Sequence, residues 1–375
     1  MAKTVFILGA GASRHAGAPL MNEFLERAWG LPATSNLGAE APRHFALVRK
    51  GINALQLAHS KGDLDIWNLE AVFDAFEMAA LVGRLGDLEA SEVQGLPDAM
   101  RGVILTTLQE EISVPMDCSE RPVAGPTEAY ARFVEVAASI WRTTRAYPAV
   151  ITFNYDICLD WALFHSQRSW GYCLNGPGSG DGDSLRLLKL HGSLNWAFCM
   201  SCGDVWVSRD LPSIARVVPL DALSAKEDGR QTMRLKVVNG PLSGSKCGCS
   251  SPKPAVMLVP PTINKGQHHN VLKEVWTSAA AELGAAEEII VCGYSLPETD
   301  LFFRYLYAVG AIGEACLRRF WVLNPDARVK PRFQALLGRQ VLSQPDRFRV
   351  FPLKFEDVPW DSVVNGRLDQ LPDPV

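Results

Sequence analysis

The sequence predicts an α/β fold in which a doubly wound parallel sheet carries a helical insertion and a small β-rich module with four cysteines. Three observations indicate this class. Short β-branched apolar runs recur along the chain, helical periodicities alternate with several of them, and each run ends abruptly in small or polar residues. Continuous apolar runs of this kind are typical of strands buried on both faces, as in parallel sheets covered by helices.

Five of these runs are predicted to be strands of the sheet. They occupy residues 4–8, 149–153, 185–190, 288–292 and 319–323. Apolar residues at helical spacing predict helices over 126–145, with Thr127 as N-cap, and over 270–284 and 298–311. Ligands of doubly wound sheets bind outside the carboxyl ends of the strands, so the polar residues that follow each run are candidates for a single site.

Two regions interrupt the alternation of strands and helices. Residues 31–125 carry apolar residues at helical spacing and are predicted to form a helical insertion. Residues 197–255 combine short alternating segments with four cysteines and are predicted to form a small zinc-ribbon-like module. The sheet domain is then assembled from residues 1–30, 126–196 and 256–355.

Composition and charge exclude several classes of protein. The chain has 375 residues, of which 47% are hydrophobic and 21% charged, and this ordinary globular usage argues against a disordered or fibrous chain. A formal net charge of −4 gives no reason to expect direct nucleic-acid binding. No apolar run approaches about 18 residues, and the run over 5–8 is too short for a signal peptide, so we expect a cytoplasmic protein without a membrane span.

A glycine-rich turn follows the first predicted strand. Gly9, Gly11 and Ser13 stand where a phosphate-binding loop is expected, because glycine lets the backbone approach a phosphate closely. The dinucleotide fingerprint G-x-G-x-x-G requires a third glycine where this chain has Arg14, so the motif is not that of an ordinary dehydrogenase. Taken alone, the pattern is also compatible with a tight strand-to-helix turn.

Ordered blocks along the chain resemble those of the sirtuin family, and more closely its SIR2-like bacterial relatives. The blocks span residues 5–326 and stand in the family's order. They are Gly9-Ala10-Gly11-Ala12-Ser13 followed by Gly17-Ala18-Pro19, Thr152-Phe153-Asn154-Tyr155-Asp156, Lys189-Leu190-His191-Gly192-Ser193, Gly293-Tyr294-Ser295-Leu296 and Val322-Leu323-Asn324-Pro325. The resemblance implies a Rossmann-like sheet and NAD+ as the substrate. The residues that it implies for NAD+ binding are Gly9, Ala10, Gly11, Ser13, Thr152, Gly293, Ser295 and Asn324.

The resemblance also implies cleavage of the bond between nicotinamide and ribose. Neutral nicotinamide leaves a pyridinium, so the reaction needs no general acid; it needs a dry pocket, a polar group beside the ribose and a base. We assign the role of base to His191. Asn154 is expected to orient the ribose hydroxyls and an attacking water, and Asp156 is expected to hold the carboxamide or to stabilise the developing positive charge. Taken singly, Asn154 and Asp156 are also typical caps of a helix that starts near Ile157, and a lone histidine after a strand is more often structural.

Four cysteines lie in two close pairs within the small module. Cys199 and Cys202 form a C-x-x-C pair, and Cys247 and Cys249 form a C-x-C pair after a long spacer. Four thiolates suit tetrahedral Zn2+, and sirtuins carry a four-cysteine zinc module in this region, although with a shorter spacer and two C-x-x-C pairs. Metal-free thiols are the alternative. The remaining cysteines are interpreted as small core residues, namely Cys118, Cys158, Cys173, Cys292 and Cys316.

Three functions remain open from the sequence. The segment Val259-Pro260-Pro261-Thr262-Ile263-Asn264-Lys265 has two adjacent prolines, which remove backbone donors and make it a poor β-clamp for an acyl-lysine peptide. The same segment resembles the SIR2-like group associated with NAD+ hydrolysis in bacterial anti-phage defence. We therefore expect an NAD+ hydrolase that works as a homo-oligomer or with a regulatory partner, such as an ATPase, a helicase or an Argonaute-like protein. A NAD+-dependent protein deacylase and a non-catalytic nucleotide-binding module are the alternatives.

Overall fold

A computed structural model describes most of the chain. The described residues are 3–31, 40–57, 64–117, 123–174, 184–208, 211, 215–219, 232–237, 247–250, 254–259, 269–298, 300–313 and 315–375. The strands are β1 (Thr4–Leu8), β2 (Ser113–Asp117), β3 (Val123–Ala124), β4 (Ala149–Thr152), β5 (Trp170–Gly171), β6 (Leu185–Lys189), β7 (Gly192–Cys199), β8 (Val205–Val207), β9 (Ala215–Pro219), β10 (Thr232–Val237), β11 (Pro254–Leu258), β12 (Glu288–Cys292), β13 (Arg319–Leu323) and β14 (Phe348–Phe351).

The helices are α1 (Phe24–Gly30), α2 (Ala41–Gln56), α3 (Leu69–Val82), α4 (Ala90–Glu111), α5 (Glu128–Thr144), α6 (Cys158–His165), α7 (His269–Gly284), α8 (Leu301–Gly310), α9 (Lys330–Gln334), α10 (Arg339–Leu342) and α11 (Trp360–Asn365). Short 3-10 helices fill the turn after β1, over Ala10–Ala12 and Arg14–Ala16. Among these helices, none combines the length with the apolar character that crossing a lipid bilayer requires.

The central sheet is parallel and doubly wound, as the sequence predicts. Among the described residues it has seven strands in the order β14-β13-β12-β1-β4-β6-β5, and each neighbouring pair is parallel. The chain passes from β1 to β4 on one side and later returns to β12 on the other side of β1. The strand order therefore reverses at β1, and doubly wound sheets bind their ligands at such a reversal, here the carboxyl ends of β1, β4 and β12.

Both faces of this sheet are covered. Every residue of β1 and of β13 is buried, and successive side chains of a strand point to opposite faces, so neither face is open to water. The helices pack in separate groups, with α5 against α6 and α11, and α7 against α8. The five strands predicted from the sequence are confirmed, two of them (β4 and β6) one residue shorter at the end, and the predicted helices appear as α5, α7 and α8.

The helical insertion and the cysteine-containing region are joined by strands. In the insertion, α4 packs against both α2 and α3. Strand β10, which precedes the second cysteine pair, pairs with β2 of the insertion in a four-stranded sheet of order β3-β2-β10-β9. Strands β11, β7 and β8 form a separate three-stranded sheet. Residues 197–255 therefore contribute strands to two sheets, and one of these sheets ties them to the insertion.

Candidate functional site

The turns after β1 and β12 are in direct backbone contact at the point where the strand order reverses. The amide of Gly11 donates to the carbonyl of Gly293 (2.9 Å), and a Cβ on Gly11 would lie only 2.8 Å from the Cα of Gly293. Gly9 is equally constrained, because its Cβ would lie 2.6 Å from the Cα of Tyr294. These glycines are thus required for the close approach of two loops, a reason that is independent of any phosphate.

A buried hydroxyl and amide cluster joins the turn after β1 to the loop after β4. The hydroxyls of Ser13 and Tyr130 lie 2.7 Å apart, and the Asn154 side-chain amide donates to Ser13 Oγ (3.1 Å). Ser13 is fully buried, whereas Asn154 is half-buried. Burial raises the pKa of Tyr130, so its hydroxyl stays protonated at neutral pH. The cluster therefore fixes the orientation of the Asn154 side-chain amide through Ser13 and Tyr130.

His191 packs against the aromatic residues on either side of Asn154. Its ring centroid lies 5.3 Å from that of Phe153 and 6.1 Å from that of Tyr155. The backbone continues the same contact, because the amide of Leu190 donates to the carbonyl of Thr152 (3.0 Å). The loops after β4 and β6, which carry Asn154 and His191, are therefore in direct contact.

The turn that holds His191 depends on Gly192. This residue has φ of 84°, and a Cβ on it would lie 2.1 Å from the carbonyl oxygen of Met257. The carbonyl of His191 accepts from the amide of Val259 (2.9 Å), which directly follows β11. Only glycine fits this position without moving β11, so the sequence His191-Gly192 is a structural unit.

Several predicted site residues have local structural partners. Asp156 is buried, and its Oδ1 accepts from the amide of Cys158 (2.9 Å) at the start of α6, as the capping alternative expects. Thr152 Oγ1 accepts from the amide of Asn154 (3.1 Å) and so shapes the loop that carries it. Asn324 donates to the carbonyl of Tyr294 (3.3 Å) and accepts from the amide of Asp326 (2.9 Å). These contacts hold the loops at the carboxyl edge of the sheet.

An aromatic wall lies on the β12 side of the crevice. Tyr294 stacks on Phe153 with ring centroids 4.0 Å apart and an angle of 9° between the ring planes. Its hydroxyl donates to Asp300 Oδ2 (2.5 Å), and burial raises the pKa of Tyr294, which keeps that donor protonated.

Ser295 follows Tyr294 in the chain and is exposed, and its carbonyl accepts from Arg332 Nη1 (3.3 Å). Ala10 is half-buried in the facing turn, where its carbonyl accepts from the Ser13 amide (3.1 Å).

The four cysteines of the two predicted pairs converge. The Sγ atoms of Cys199, Cys202, Cys247 and Cys249 all lie within 4.8 Å of one another, with 3.7 Å between Cys199 and Cys249 and 3.0 Å between Cys202 and Cys247. Sulfur ligands of a tetrahedral Zn2+ at about 2.3 Å stand roughly 3.8 Å apart, so this cluster fits the ion. The contact with Cys202 raises the pKa of Cys247, because neighbouring thiols without a cation resist ionisation.

The other cysteines that the structure describes divide into two groups. Cys158, Cys173 and Cys292 are buried, as the core interpretation predicts. For Cys316 that prediction is wrong, since this residue is exposed in the segment between α8 and β13. Cys118 lies outside the described residues, as does the proline-containing segment 260–265.

Two residues of the site are missed by reasoning from sequence. Tyr130 stands at an apolar position of α5 and is therefore interpreted as a core residue. A buried tyrosine hydroxyl needs a hydrogen-bond partner, and this requirement is the one indication in the sequence of its role.

His15 lies in the turn after β1. Its Nε2 forms a hydrogen bond with Thr127 Oγ1 (2.7 Å), and its ring stacks on Phe355 with ring centroids 5.7 Å apart. Burial lowers the pKa of His15, and this effect outweighs the negative charges of Glu356 and Asp156, which raise it. Thr127 occupies the N-cap position of α5, as predicted, but its hydroxyl forms a hydrogen bond with His15 and does not cap the helix.

The fold and the site define a doubly wound α/β protein with an amide, an imidazole and hydroxyls gathered at its switch point and a four-thiol cluster fit for a metal ion. No protein-family model and no curated protein matches the chain. Among solved structures, the chain is similar to a Sir2–p53 peptide–NAD+ complex, with 14% identity, a TM-score of 0.39 and coverage of 98% of this chain and 94% of that chain. It is similar to a mutant Sir2 homologue–ADP-ribose complex at 16% identity and a TM-score of 0.36, covering 99% of this chain and 96% of that one. A Sir2 homologue–NAD complex matches at 16% identity and a TM-score of 0.36, covering 98% and 91%. TM-scores this low do not establish a shared fold, so the fold of this chain is assigned from its own strand order.

Proposed function

We propose that the chain is an NAD+ hydrolase that cleaves the bond between nicotinamide and ribose. One observation carries the proposal: Phe153 and Tyr155, on either side of Asn154, both contact the ring of His191, while Asn154 itself bonds to Ser13. Loops that follow β1, β4 and β6 thus meet where doubly wound sheets bind nucleotides. The order of the sirtuin-like blocks in the sequence supports NAD+ as the nucleotide.

The reaction converts NAD+ and water into nicotinamide, ADP-ribose and a proton. The C–N bond to the pyridinium breaks with both electrons going to nicotinamide, which leaves as a neutral molecule. Asn154 orients the ribose hydroxyls and the attacking water, and the imidazole of His191 accepts the proton that the water or a ribose hydroxyl gives up. The stacked rings of Phe153 and Tyr294 form an apolar wall beside the reacting groups, which favours loss of the pyridinium charge.

Of the two roles predicted for Asp156, holding the carboxamide and stabilising positive charge, only the second is proposed. Its carboxylate is buried and already bonded to the amide of Cys158, so we propose that it acts on the substrate through its negative charge. An oxocarbenium-like ribose carries positive charge, and a carboxylate two residues after Asn154 stabilises it without contact.

Water is the proposed acceptor because of the segment that follows β11. The amide of Val259 bonds to the carbonyl of His191, so Pro260 and Pro261 enter the chain immediately after that contact. An acyl-lysine peptide bound as an added strand needs backbone donors from its clamp, and two prolines supply none. A protein deacylase is therefore disfavoured, and the assay described next decides between the two acceptors.

The decisive experiment is product analysis of the purified protein with NAD+. We expect nicotinamide and ADP-ribose in equal amounts without any peptide, and no increase in nicotinamide when an acetyl-lysine peptide is added. Nicotinamide release that depends on the peptide, with transfer of the acetyl group, would assign the chain as a deacylase. NAD+ binding in a calorimeter without any turnover, both in the purified protein and after addition of lysate from phage-infected cells, would assign it as a nucleotide-binding module.

We propose that the four cysteines hold a structural Zn2+ and that the hydrolase acts in anti-phage defence by depleting NAD+, as a homo-oligomer or under a regulatory partner. The Cys cluster supports the first part by its spacing, and the sequence resemblance supports the second. Cells that express the chain should lose NAD+ after phage infection, and cells that express His191→Ala should not. NAD+ levels that stay equal in the two strains throughout infection would reject the defence role.

A further inference from the structure

A buried ion pair lies directly behind the proposed site. Lys189 Nζ lies 3.0 Å from Asp160 Oδ2, and both side chains are only 1% exposed. A lysine is almost never buried this completely unless it is paired, and the isolated charge would be strongly disfavoured in such a place. Neither side chain can reach a substrate in the crevice, so the chemistry described above makes no use of them.

The ammonium group of Lys189 has a second partner, which lies in the loop that carries Asn154. Lys189 Nζ donates to the backbone carbonyl of Asp156 (2.6 Å), two residues after Asn154. Lys189 is itself the last residue of β6, two residues before His191. One buried cation therefore connects the segment that bears the amide to the segment that bears the imidazole.

The pair is embedded in further buried hydrogen bonds, all from neighbouring elements. Tyr172 donates its hydroxyl hydrogen to Asp160 Oδ1, and Asn195 Nδ2 donates to the hydroxyl of Tyr172 (2.8 Å). Asn195 also donates to the carbonyl of Ser208 (3.1 Å), at the end of β8. Asp160 lies on α6, Tyr172 follows β5 and Asn195 lies on β7, so the network fixes the ammonium group from three elements.

We propose that Lys189 is a positioning residue, which sets the loop of Asn154 relative to His191 through its hydrogen bond to the Asp156 carbonyl. The inference rests on the proposed NAD+ hydrolysis for its catalytic consequence. Asp160 supplies the countercharge that lets the ammonium group stay buried. Asn154 orients the reacting groups, whereas most of the affinity for a dinucleotide comes from its other parts, so loss of the positioning bond should lower kcat and leave KM nearly unchanged.

The test compares two variants that differ in the donor. The double variant Lys189→Met/Asp160→Asn removes the donor but leaves no unpaired charge, which avoids the usual penalty of breaking a buried pair. The control Asp160→Asn also breaks the ion pair but keeps the lysine nitrogen as a donor to the Asp156 carbonyl, so it separates loss of the charge pair from loss of the donor. Thermal unfolding of both variants establishes that each is folded before other measurements are made.

Two readouts decide the proposal. Hydrogen exchange at the amides of Asn154 and Cys158, measured without NAD+, should accelerate by about 10-fold or more in the double variant and stay within about 3-fold in Asp160→Asn. The kcat for nicotinamide release should fall by about 10-fold or more in the double variant, with KM for NAD+ changed by less than about 3-fold.

Unchanged exchange in the folded double variant would overturn the inference, and so would accelerated exchange with a wild-type kcat. The exchange measurement does not depend on turnover. If the wild-type protein releases no nicotinamide either alone or in lysate from phage-infected cells, the proposed function fails, and the exchange result alone decides whether Lys189 holds the Asn154 loop.

Discussion

His191 and Cys199 lie at opposite ends of the same buried strand. Strand β7 begins at Gly192, directly after His191, ends at Cys199, and has every residue buried. Strand β11 runs antiparallel beside it, with Pro254 opposite Cys199 and Leu258 opposite Gly192. The cysteine cluster therefore lies at one end of a pair of strands whose other end holds the proposed base.

Replacing Cys199 by serine should release the metal and loosen this ladder. We expect zinc content, measured by elemental analysis, to fall from about one ion per chain to near zero, and Tm to fall by about 5 °C or more. Cys316→Ser is the matched control, because Cys316 is exposed and outside the cluster, and it should change Tm by less than about 1 °C. Wild-type protein purified with no zinc, and with a Tm that a chelator does not alter, would contradict the proposed metal site.

Removal of either proposed reacting group should abolish most of the activity. His191→Ala and Asn154→Ala should each lower the rate of nicotinamide release by about 10²-fold or more, because each removes a group that acts in the transition state. Circular dichroism and Tm should remain close to wild type. His165→Ala is the control: His165 ends α6, seven residues beyond Cys158 and about 10 Å farther along the helix axis, away from the crevice. Rates within a few-fold of wild type in both site variants would refute the assigned roles.

Tyr130→Phe tests the hydroxyl cluster behind Asn154. The change leaves Ser13 Oγ with the Asn154 amide as a partner but removes the contact that fixes its hydroxyl. We expect a loss of about 1 kcal/mol in the free energy of unfolding and a fall in kcat of about 3-fold to 10-fold. Tyr147→Phe, on the half-exposed ring that stacks on Trp141, is the control and should leave kcat unchanged. Equal kcat values for the wild type and Tyr130→Phe would show that the cluster does not orient Asn154.

The parallel sheet was predictable because its signal is local. Strands β1, β12 and β13 each contain an uninterrupted apolar run, and burial on both faces requires such runs, so the positions of these strands follow from the local sequence. The contact between the loops that carry Asn154 and His191 was predictable for a related reason, since the carboxyl ends of parallel strands lie at one edge. The pairing of β10 with β2 was not predictable, because nothing in either segment marks a partner so distant in sequence.

The side-chain network behind the site escaped prediction for a different reason. Lys189 ends an apolar strand, where a charged residue is typical of an exposed strand terminus, and only the fold reveals Asp160 beside it. Gly9 and Gly11 were predicted to form a phosphate-binding loop, with a tight turn as the alternative, but the sequence could not show that the loop after β12 requires them. Tertiary contacts of this kind depend on which loops are in contact in the fold, and this cannot be inferred from the identity of single residues.

Acid should destabilise the protein through His15 and His165. Burial lowers the pKa of both histidines. Each therefore binds a proton more readily in the unfolded chain, so its contribution to stability is complete above about pH 6.5 and is lost as pH falls through the lowered folded value. The Tm of the wild type should fall between pH 7.5 and pH 5 (an experimental range set by roughly these pKa values). His15→Gln and His165→Gln should each reduce that fall, and the double variant should reduce it most. An equal fall in all four proteins would show that other groups control the acid response.

The contact between the β1 and β12 turns provides the sharpest test of the switch-point geometry. Gly293 has φ of 65°, and a Cβ there would lie 2.4 Å from the amide nitrogen of Ala12, so Gly293→Ala must both strain the backbone and separate the two turns. We expect a loss of more than about 2 kcal/mol in the free energy of unfolding, measured by denaturant titration, together with weaker NAD+ binding. Gly30→Ala is the matched control, because Gly30 ends α1 with open space around its Cα, and alanine there should be neutral or stabilise the helix by up to about 1 kcal/mol. If Gly293→Ala is as stable as Gly30→Ala, the two turns do not touch as described, and the crevice that gathers Ser13, Asn154 and His191 has a different shape.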